Sequence, residues 1–497
     1  MTRLPILCSV ILSMVCAHVT WAQTFTLGEK QTINKDMIGV NANLTSIEKP
    51  QNDKKLVRSL EDLSTKTIRY PGGTIGNYWD WDKGWLDSSI PDDKMIKWVV
   101  EQKLTTSKQR YTVEDFATLV KKTNAEPVFM LNLLSKDLAH SIRNLKKAQA
   151  LGLDIKYVEM GNELYFNLPL PMAVYPTPEV LGDTCRIWID ALKKEFPGVK
   201  CSIVGTYIER RKRHIDWTNR VLSTCPNADA VTYHKYSPAS LNGAQERVNI
   251  TAGTEGQTDA SSATRKYPGG EISYKDWEKS LLKDPKAQAN MWVTTQHDTE
   301  SYKKMKLKKD LPLWVTEFNM RDDHSIVLGS WAQSLILSIY YLEFMKANVE
   351  VTNVHNVVGS LFAQIDEKNN DYAKDRYPLT SGGISTSLFA RATTDKVKKM
   401  PLLFDEVPTL LNDKDEEFKG VNGYAFADEK GKITYIIVNY SYEKQTYDLP
   451  SNMKGLTQKS YNAELETQVV GWETIDEKKS KLKKKLVLPE FSISIIE

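Results

Sequence analysis

Short apolar, β-branched runs alternate with longer amphipathic stretches over most of this chain, and that alternation limits its fold more than any other feature. The runs are Met37–Asn43, Thr67–Arg69, Pro127–Leu131, Tyr157–Met160, Lys200–Val204, Ala230–Tyr233, Leu313–Val315 and Val351–Asn356. Helical patterns such as Val113–Lys122, Ser141–Leu151, Thr177–Phe196 and Ser330–Ala347 lie between them. A strand–helix unit repeated about eight times predicts an α/β protein of the (β/α)8 TIM-barrel type. A doubly wound open sheet gives a similar alternation. It is disfavoured because no Gly-rich phosphate-binding turn follows the first strand.

The pattern changes after about Lys396. Gly423–Phe426, Ile433–Asn439, Gln445–Leu449, Thr467–Trp472 and Phe491–Ile496 read as short strands with polar turns and no helices between them. That is the signature of an antiparallel β-sandwich. The leading strand Thr24–Thr32 joins the same unit. The expected organisation is therefore a barrel over 36–395 and an accessory β-sandwich from 24–35 plus 396–497. Lys478–Lys485 reads as a solvated hairpin. One connection, Tyr236 to Pro312, is unusually long, with a Gly/Ser/Thr/Asn-rich part (Asn249 to Thr264) and a helical stretch near Trp277–Ala289. Long loops on this face of a barrel commonly build a cleft. Tyr267-Pro-Gly-Gly270 echoes Tyr70-Pro-Gly-Gly73, but the flanks do not match and no repeat is assigned.

At the start, Arg3 precedes an apolar run from Leu4 to about Val15, with small residues around Thr20 and Ala22. This is the layout of a secretory signal over 1–22 and implies a secreted or periplasmic protein. The run is too short for a membrane span, and no second long one follows. Cys16 sits behind Ser-Met-Val, a poor lipoprotein box, so a lipid anchor is disfavoured. The formal net charge of +3 points to neither nucleic acid nor an acidic membrane as partner. Beyond the signal, Cys185, Cys201 and Cys225 have no metal-like spacing and read as buried small side chains with at most one disulfide. No metal or cofactor is expected.

Two glutamates carry the chemistry. Glu163 follows the fourth run, in Tyr-Val-Glu-Met-Gly-Asn-Glu, and Glu317 follows the seventh, in Leu-Trp-Val-Thr-Glu-Phe. In a barrel, groups at the C-terminal ends of strands share one mouth. Two carboxylates there suit cleavage of a glycosidic bond: one protonates the leaving oxygen while the other attacks or stabilises the sugar cation. Tyr78, Trp79 and Trp81 follow a glycine turn at the same mouth. Aromatic faces stack on sugars, so they form either a subsite wall or a packed loop cover. The basic run Glu209–Arg213 either meets an anionic sugar or is solvated, the second being favoured.

Gly-Asn-Glu after strand four, with a glutamate after strand seven, resembles clan A, the 4/7 superfamily of retaining glycoside hydrolases. Residues 68–81, Ile-Arg-Tyr-Pro-Gly-Gly-Thr-Ile-Gly-Asn-Tyr-Trp-Asp-Trp, are similar to the strand-two segment of family 51 α-L-arabinofuranosidases and, more loosely, of family 79 glucuronidases and heparanases. Val-Thr-Tyr-His-Lys-Tyr (231–236) resembles their strand-six His-x-Tyr, and Glu317-Phe-Asn319 resembles the nucleophile segment of arabinofuranosidases. Leu-Pro-Glu-Phe-Ser-Ile-Ser-Ile-Ile-Glu (488–497) resembles the last sandwich strand of several such families. After Gly-Asn-Glu the chain continues Leu-Tyr-Phe-Asn, unlike family 51 or family 79, so the resemblance does not select a sugar.

The resemblance implies that Glu317 is the nucleophile and Glu163 the acid/base. Arg69 would lie near Glu317 and favour its ionised form; a buried structural ion pair is the plainer alternative. Tyr236 would orient the same carboxylate. Asn162 would reach the sugar 2-hydroxyl. Glu163 needs a less polar surround that keeps its proton, with His234 beside it or, alternatively, packed as an ordinary core histidine. The implied activity is retaining hydrolysis of a plant or algal polysaccharide or oligosaccharide, arabinofuranosidase-like, with a glucuronidase or heparanase type as alternative. His-Glu-x-x-His and Gly-x-Ser-x-Gly are absent from the sequence. The rival from another class is a non-catalytic carbohydrate-binding protein on an inactive barrel. Both glutamates together with Arg69, Asn162 and Tyr236 argue against it.

Overall fold

A computed structural model describes residues 24–41, 44, 47–105, 110–239, 241, 279–321, 325–359, 362–367 and 377–497. The expected signal segment 1–22, the stretch 249–264, Tyr267-Pro-Gly-Gly270 and the start of the helix expected near Trp277 lie outside the described residues. That helix is described from Pro285 to Thr299.

Eight parallel strands close a barrel: β1 (Ile38–Asn41), β2 (Thr67–Tyr70), β3 (Glu126–Met130), β4 (Tyr157–Glu159), β5 (Lys200–Val204), β6 (Ala230–Ser237), β7 (Leu313–Met320) and β8 (Val349–Val354). Each pairs with its sequence neighbour and β8 returns to β1. Both faces are covered, which is why the strands read as apolar runs rather than as alternation. Val128, Tyr157, Ala230, Trp314 and Val351 form a separate packed cluster, with Trp314 edge-on to Tyr157 at 5.4 Å. They come from five barrel strands and fill the interior beneath the mouth.

Strand β7 departs from regular pairing. Against β6, Thr232 pairs with Trp314 and His234 with Glu317, so β7 spends three residues where β6 spends two. The partner on the other side shows the same slip between Val315 and Phe318. Such a bulge inverts the alternation of side chains. Trp314 and Glu317, three apart, thus both face the interior, while Phe318 packs on Tyr340, Tyr341 and Phe344 of the helix Trp331–Lys346.

Beyond the barrel, one antiparallel sheet runs in the order 25–27, 398–404, 421–427, 433–439, 492–496, 457–462, 476–481, with 31–32 also on 398–404. The pair Gln445–Asp448 and Lys485–Leu488 supplies the second layer. Tyr435 and Ile437 join the core between these layers, whereas Ile436 and Val438 join the core shared with the barrel. The strand 433–439 is therefore apolar on both faces. For the same reason the helix Trp331–Lys346, lodged between the two units, is buried all round up to Met345.

Two expectations are corrected here. Thr467–Trp472 is not a sandwich strand; its backbone bonds Trp331, Gly329 and Leu379, fastening the sandwich to the barrel. Lys478–Lys485 is solvated but is no hairpin, because 476–481 pairs with 457–462 and 485–488 with 445–448, so the chain crosses between sheets there. Cys185, Cys201 and Cys225 are buried free thiols.

Candidate active site

At the C-terminal ends of the barrel strands a buried ionic cluster converges on Arg69, the penultimate residue of β2. Its Nε donates to Glu159 Oε2 at 2.7 Å, Nη1 to Glu317 Oε1 at 2.7 Å, and Nη2 to Asn162 Oδ1 at 2.8 Å. The guanidinium is fully buried, as is Glu159. A planar fork with separate donor edges makes this three-way contact; a lysine ammonium would not.

Glu317 receives donors on both oxygens. Oε1 accepts from Arg69 and from Asn41 Nδ2 (3.3 Å), and Oε2 accepts from the Tyr236 hydroxyl at 3.0 Å. Burial pushes its pKa up, but His234 and the Arg69 guanidinium outweigh that and hold Glu317 well below the usual carboxylate range. Asn41 reaches it across the Pro71-Gly72-Gly73 turn. Gly72 has φ +89°, and a Cβ there would lie 2.2 Å from Asn41 Oδ1, so glycine is required by both conformation and space.

Glu163 stands on a loop after β4 and has a left-handed backbone, φ +47°. That is uncommon for glutamate and costs on the order of 1–2 kcal/mol. Two side chains hold it. Asn77 brackets the neighbouring residue, accepting from Asn162 N (3.0 Å) and donating to Asn162 O (2.6 Å). Arg213 donates to the carbonyls of Leu164, Tyr165, Phe166 and Tyr175, at 2.7–3.1 Å. Only Arg213 of the basic run turns inward; residues 209–212 lie toward solvent, and Arg213 serves the loop rather than an anion. The Glu163 carboxylate accepts from the Tyr165 hydroxyl at 3.0 Å and faces His234 Nδ1 at 3.1 Å. Burial, and then the adjacent Glu163, pushes the Tyr165 hydroxyl well above its ordinary range, so it remains a donor.

His234 joins the two glutamates. Its Nδ1 is 3.8 Å from Glu317 Oε2, and its Nε2 is 3.0 Å from Thr316 Oγ1 in the β7 bulge. One oxygen of Glu163, one of Glu317 and a His234 nitrogen all lie within 4.8 Å of one another. Asn162 Nδ2 is buried with no hydrogen-bond partner among the described residues.

The structure therefore brings together Arg69, Asn162, Glu163, His234, Tyr236 and Glu317. It does not bring Tyr78, Trp79 and Trp81 to an open wall. All three are at most 2% exposed. Trp79 donates to the Tyr70 hydroxyl at 3.2 Å, and Trp81 packs on Tyr70 and Phe129. Burying their area in a loop cover packs the segment that follows the turn after Arg69. Sequence reasoning missed Asn41, Glu159, Tyr165 and His355. Asn41 ends β1 and His355 directly follows β8, and the strand-end rule that found the glutamates points at both.

A second set of ligating atoms, from Asp80, Asp82 and His140, also lies within 4.8 Å. Lys136 meets Asp80 at 2.8 Å and Arg143 meets Asp82 at 2.6 Å, so protein cations already balance that cluster.

No family model matches the chain, and no curated protein matches it. Solved structures do. A family 51 α-L-arabinofuranosidase from Bifidobacterium longum aligns at TM-score 0.63 and 14% identity, over 96% of this chain and 98% of that one. An α-L-arabinofuranosidase from Thermotoga maritima aligns at 0.60 and 13%, over 96% and 99%. A 4-O-α-L-rhamnosyl-β-D-glucuronidase from Fusarium oxysporum aligns at 0.57 and 13%, over 95% and 99%. Across these alignments the barrel and the antiparallel sheet domain match together, and the chain has the fold of the clan A glycoside hydrolases.

Proposed function

We propose that this protein is a retaining glycoside hydrolase in which Glu317 is the nucleophile and Glu163 the acid/base. The observation that carries the reading is the pair itself: two carboxylates from strand ends four and seven, with oxygens inside 4.8 Å. A double displacement suits carboxyl groups roughly 5–5.5 Å apart, whereas inversion needs about 6.5–9.5 Å to admit a water. Their surroundings divide the labour. Three donors and nearby positive charge favour the ionised, attacking form of Glu317. Glu163 meets a phenol and an imidazole, groups through which a proton can pass. The unpaired Asn162 Nδ2 is a preset donor for a sugar hydroxyl, and its Oδ1 is pinned by Arg69.

The substrate proposed is an arabinofuranoside or related glycoside of a plant or algal polysaccharide. Initial rates on aryl arabinofuranosides, glucuronides, xylosides and galactosides test it; turnover of none of them would remove the reading.

Glu163→Ala separates the acid from the nucleophile. On substrates with poor leaving groups kcat/KM is expected to fall by about 10²–10⁴-fold. The loss should shrink for dinitrophenyl glycosides, which leave without a proton, and azide should restore turnover as a glycosyl azide. Equal loss on every leaving group would count against the assignment.

Export is part of the proposal. The protein recovered outside the cytoplasm is expected to begin near residue 23, read by N-terminal sequencing; an intact Met1 on active cytoplasmic protein would contradict it.

A further inference from the structure

His355 follows β8 and is 7% exposed, with its ring edge-on to both Tyr236 (centroids 6.2 Å) and Phe362 (5.9 Å). Asn41 Nδ2 lies 2.8 Å from His355 Nδ1 and 3.3 Å from Glu317 Oε1. These two contacts fix the imidazole's proton. A carboxylate only accepts, so Asn41 presents its nitrogen, and an amide nitrogen only donates, so Nδ1 must accept. A neutral ring that accepts at Nδ1 carries its hydrogen on Nε2. Burial pushes the His355 pKa down, against the pull of Glu317 and with help from Arg69 and His234, which agrees with a neutral ring.

Nε2 has no protein partner among the described residues, and it is not sealed in the core. The ring also borders the reacting group. A Cβ added to Gly73 would sit 3.5 Å from Glu317 Oε1 and 3.8 Å from His355 Cε1, the carbon between the two nitrogens. The missing side chain leaves one space edged by both.

We propose that His355, held as the Nε2–H tautomer by Asn41, donates a hydrogen bond to one hydroxyl of the sugar bound over Glu317 and so selects the sugar accepted. The proposal rests on the glycosidase reading above. A site built to pair a hydroxyl discriminates against the sugar lacking it, because its donor is then left unpaired.

The test uses the full chain with the best aryl glycoside and its monodeoxy analogues. His355→Phe should lower kcat/KM on the parent sugar by on the order of 5- to 150-fold, the cost of leaving a buried hydroxyl unpaired. On one deoxy analogue, and only one, wild type and variant should be nearly equal. His355→Gln, which keeps an N–H donor, should recover part of the preference for that hydroxyl, and it carries the test if His355→Phe does not fold. A loss spread evenly over all analogues would overturn the proposal and leave His355 a packing residue. A wild-type protein inert to every glycoside would instead sink the glycosidase reading, and this proposal with it.

Discussion

Glu317→Gln is expected to lower kcat by about 10⁴-fold or more, the scale seen when a group acting as nucleophile is removed from a preorganised site. The substitution is close to isosteric, and the cluster around it accommodates the amide. Arg69 and Asn41 both donate to Oε1, which must stay an oxygen. The new NH2 then falls at the Oε2 position, where the Tyr236 hydroxyl can rotate to accept. Fold and sugar binding should therefore survive while turnover does not, which separates a catalytic loss from a folding one. Calorimetric titration with the product sugar measures the first, and initial rates measure the second. In the unaltered enzyme a 2-fluoro glycosyl fluoride should label Glu317, located by peptide mass spectrometry. Early-time proton NMR of the product should show the anomeric configuration of the substrate. An inverted product would reject the double displacement even if Glu317 proves essential.

Much of this site can be read in the sequence because strand ends in a barrel all face one mouth. The eight barrel strands fall where the apolar runs predict them, and β5 matches to the residue. The misses have separate causes. Runs ending at Tyr233 and Val315 fall short of β6 and β7, which extend to Ser237 and Met320. The omitted residues include His234, Tyr236, Glu317 and Asn319, half-buried or buried polar groups that interrupt the hydrophobic pattern. The β7 bulge is invisible for a related reason: spacing alone puts Trp314 and Glu317 on opposite faces, and only paired neighbours reveal the slip. Trp79 and Trp81 failed as a subsite wall because a sequence gives residue type and neighbourhood but not which face of a loop is covered. Glu159 was hidden by its own setting. It lies in a short apolar strand, and its role as a counter-ion depends on Arg69, 90 residues away.

That counter-ion arrangement makes Arg69 the residue whose loss should damage both stability and activity. Arg69→Met removes the cation shared by Glu159 and Glu317, and it frees Asn162 Oδ1. Leaving a buried charge without its partner costs roughly 3–5 kcal/mol, measured by urea unfolding near neutral pH. Adding Glu159→Gln removes one of the stranded charges and should return part of that stability. It should return no activity, since Asn162 and Glu317 stay unpinned. The pH dependence has a definite sign. Glu317 is depressed below the ordinary glutamate value of 4.5. Its contribution to stability is therefore complete above that pH and is lost as pH falls through the depressed folded value. Because the ionised form attacks, kcat/KM should persist down to the same acidic range in the unaltered protein. Without Arg69, burial, which already pushes the other way, loses a main opponent, and the acid limb of the kcat/KM profile must move to higher pH. A variant as stable as the parent, with an unmoved acid limb, would mean that His234 and the donors Asn41 and Tyr236 hold the Glu317 charge without Arg69.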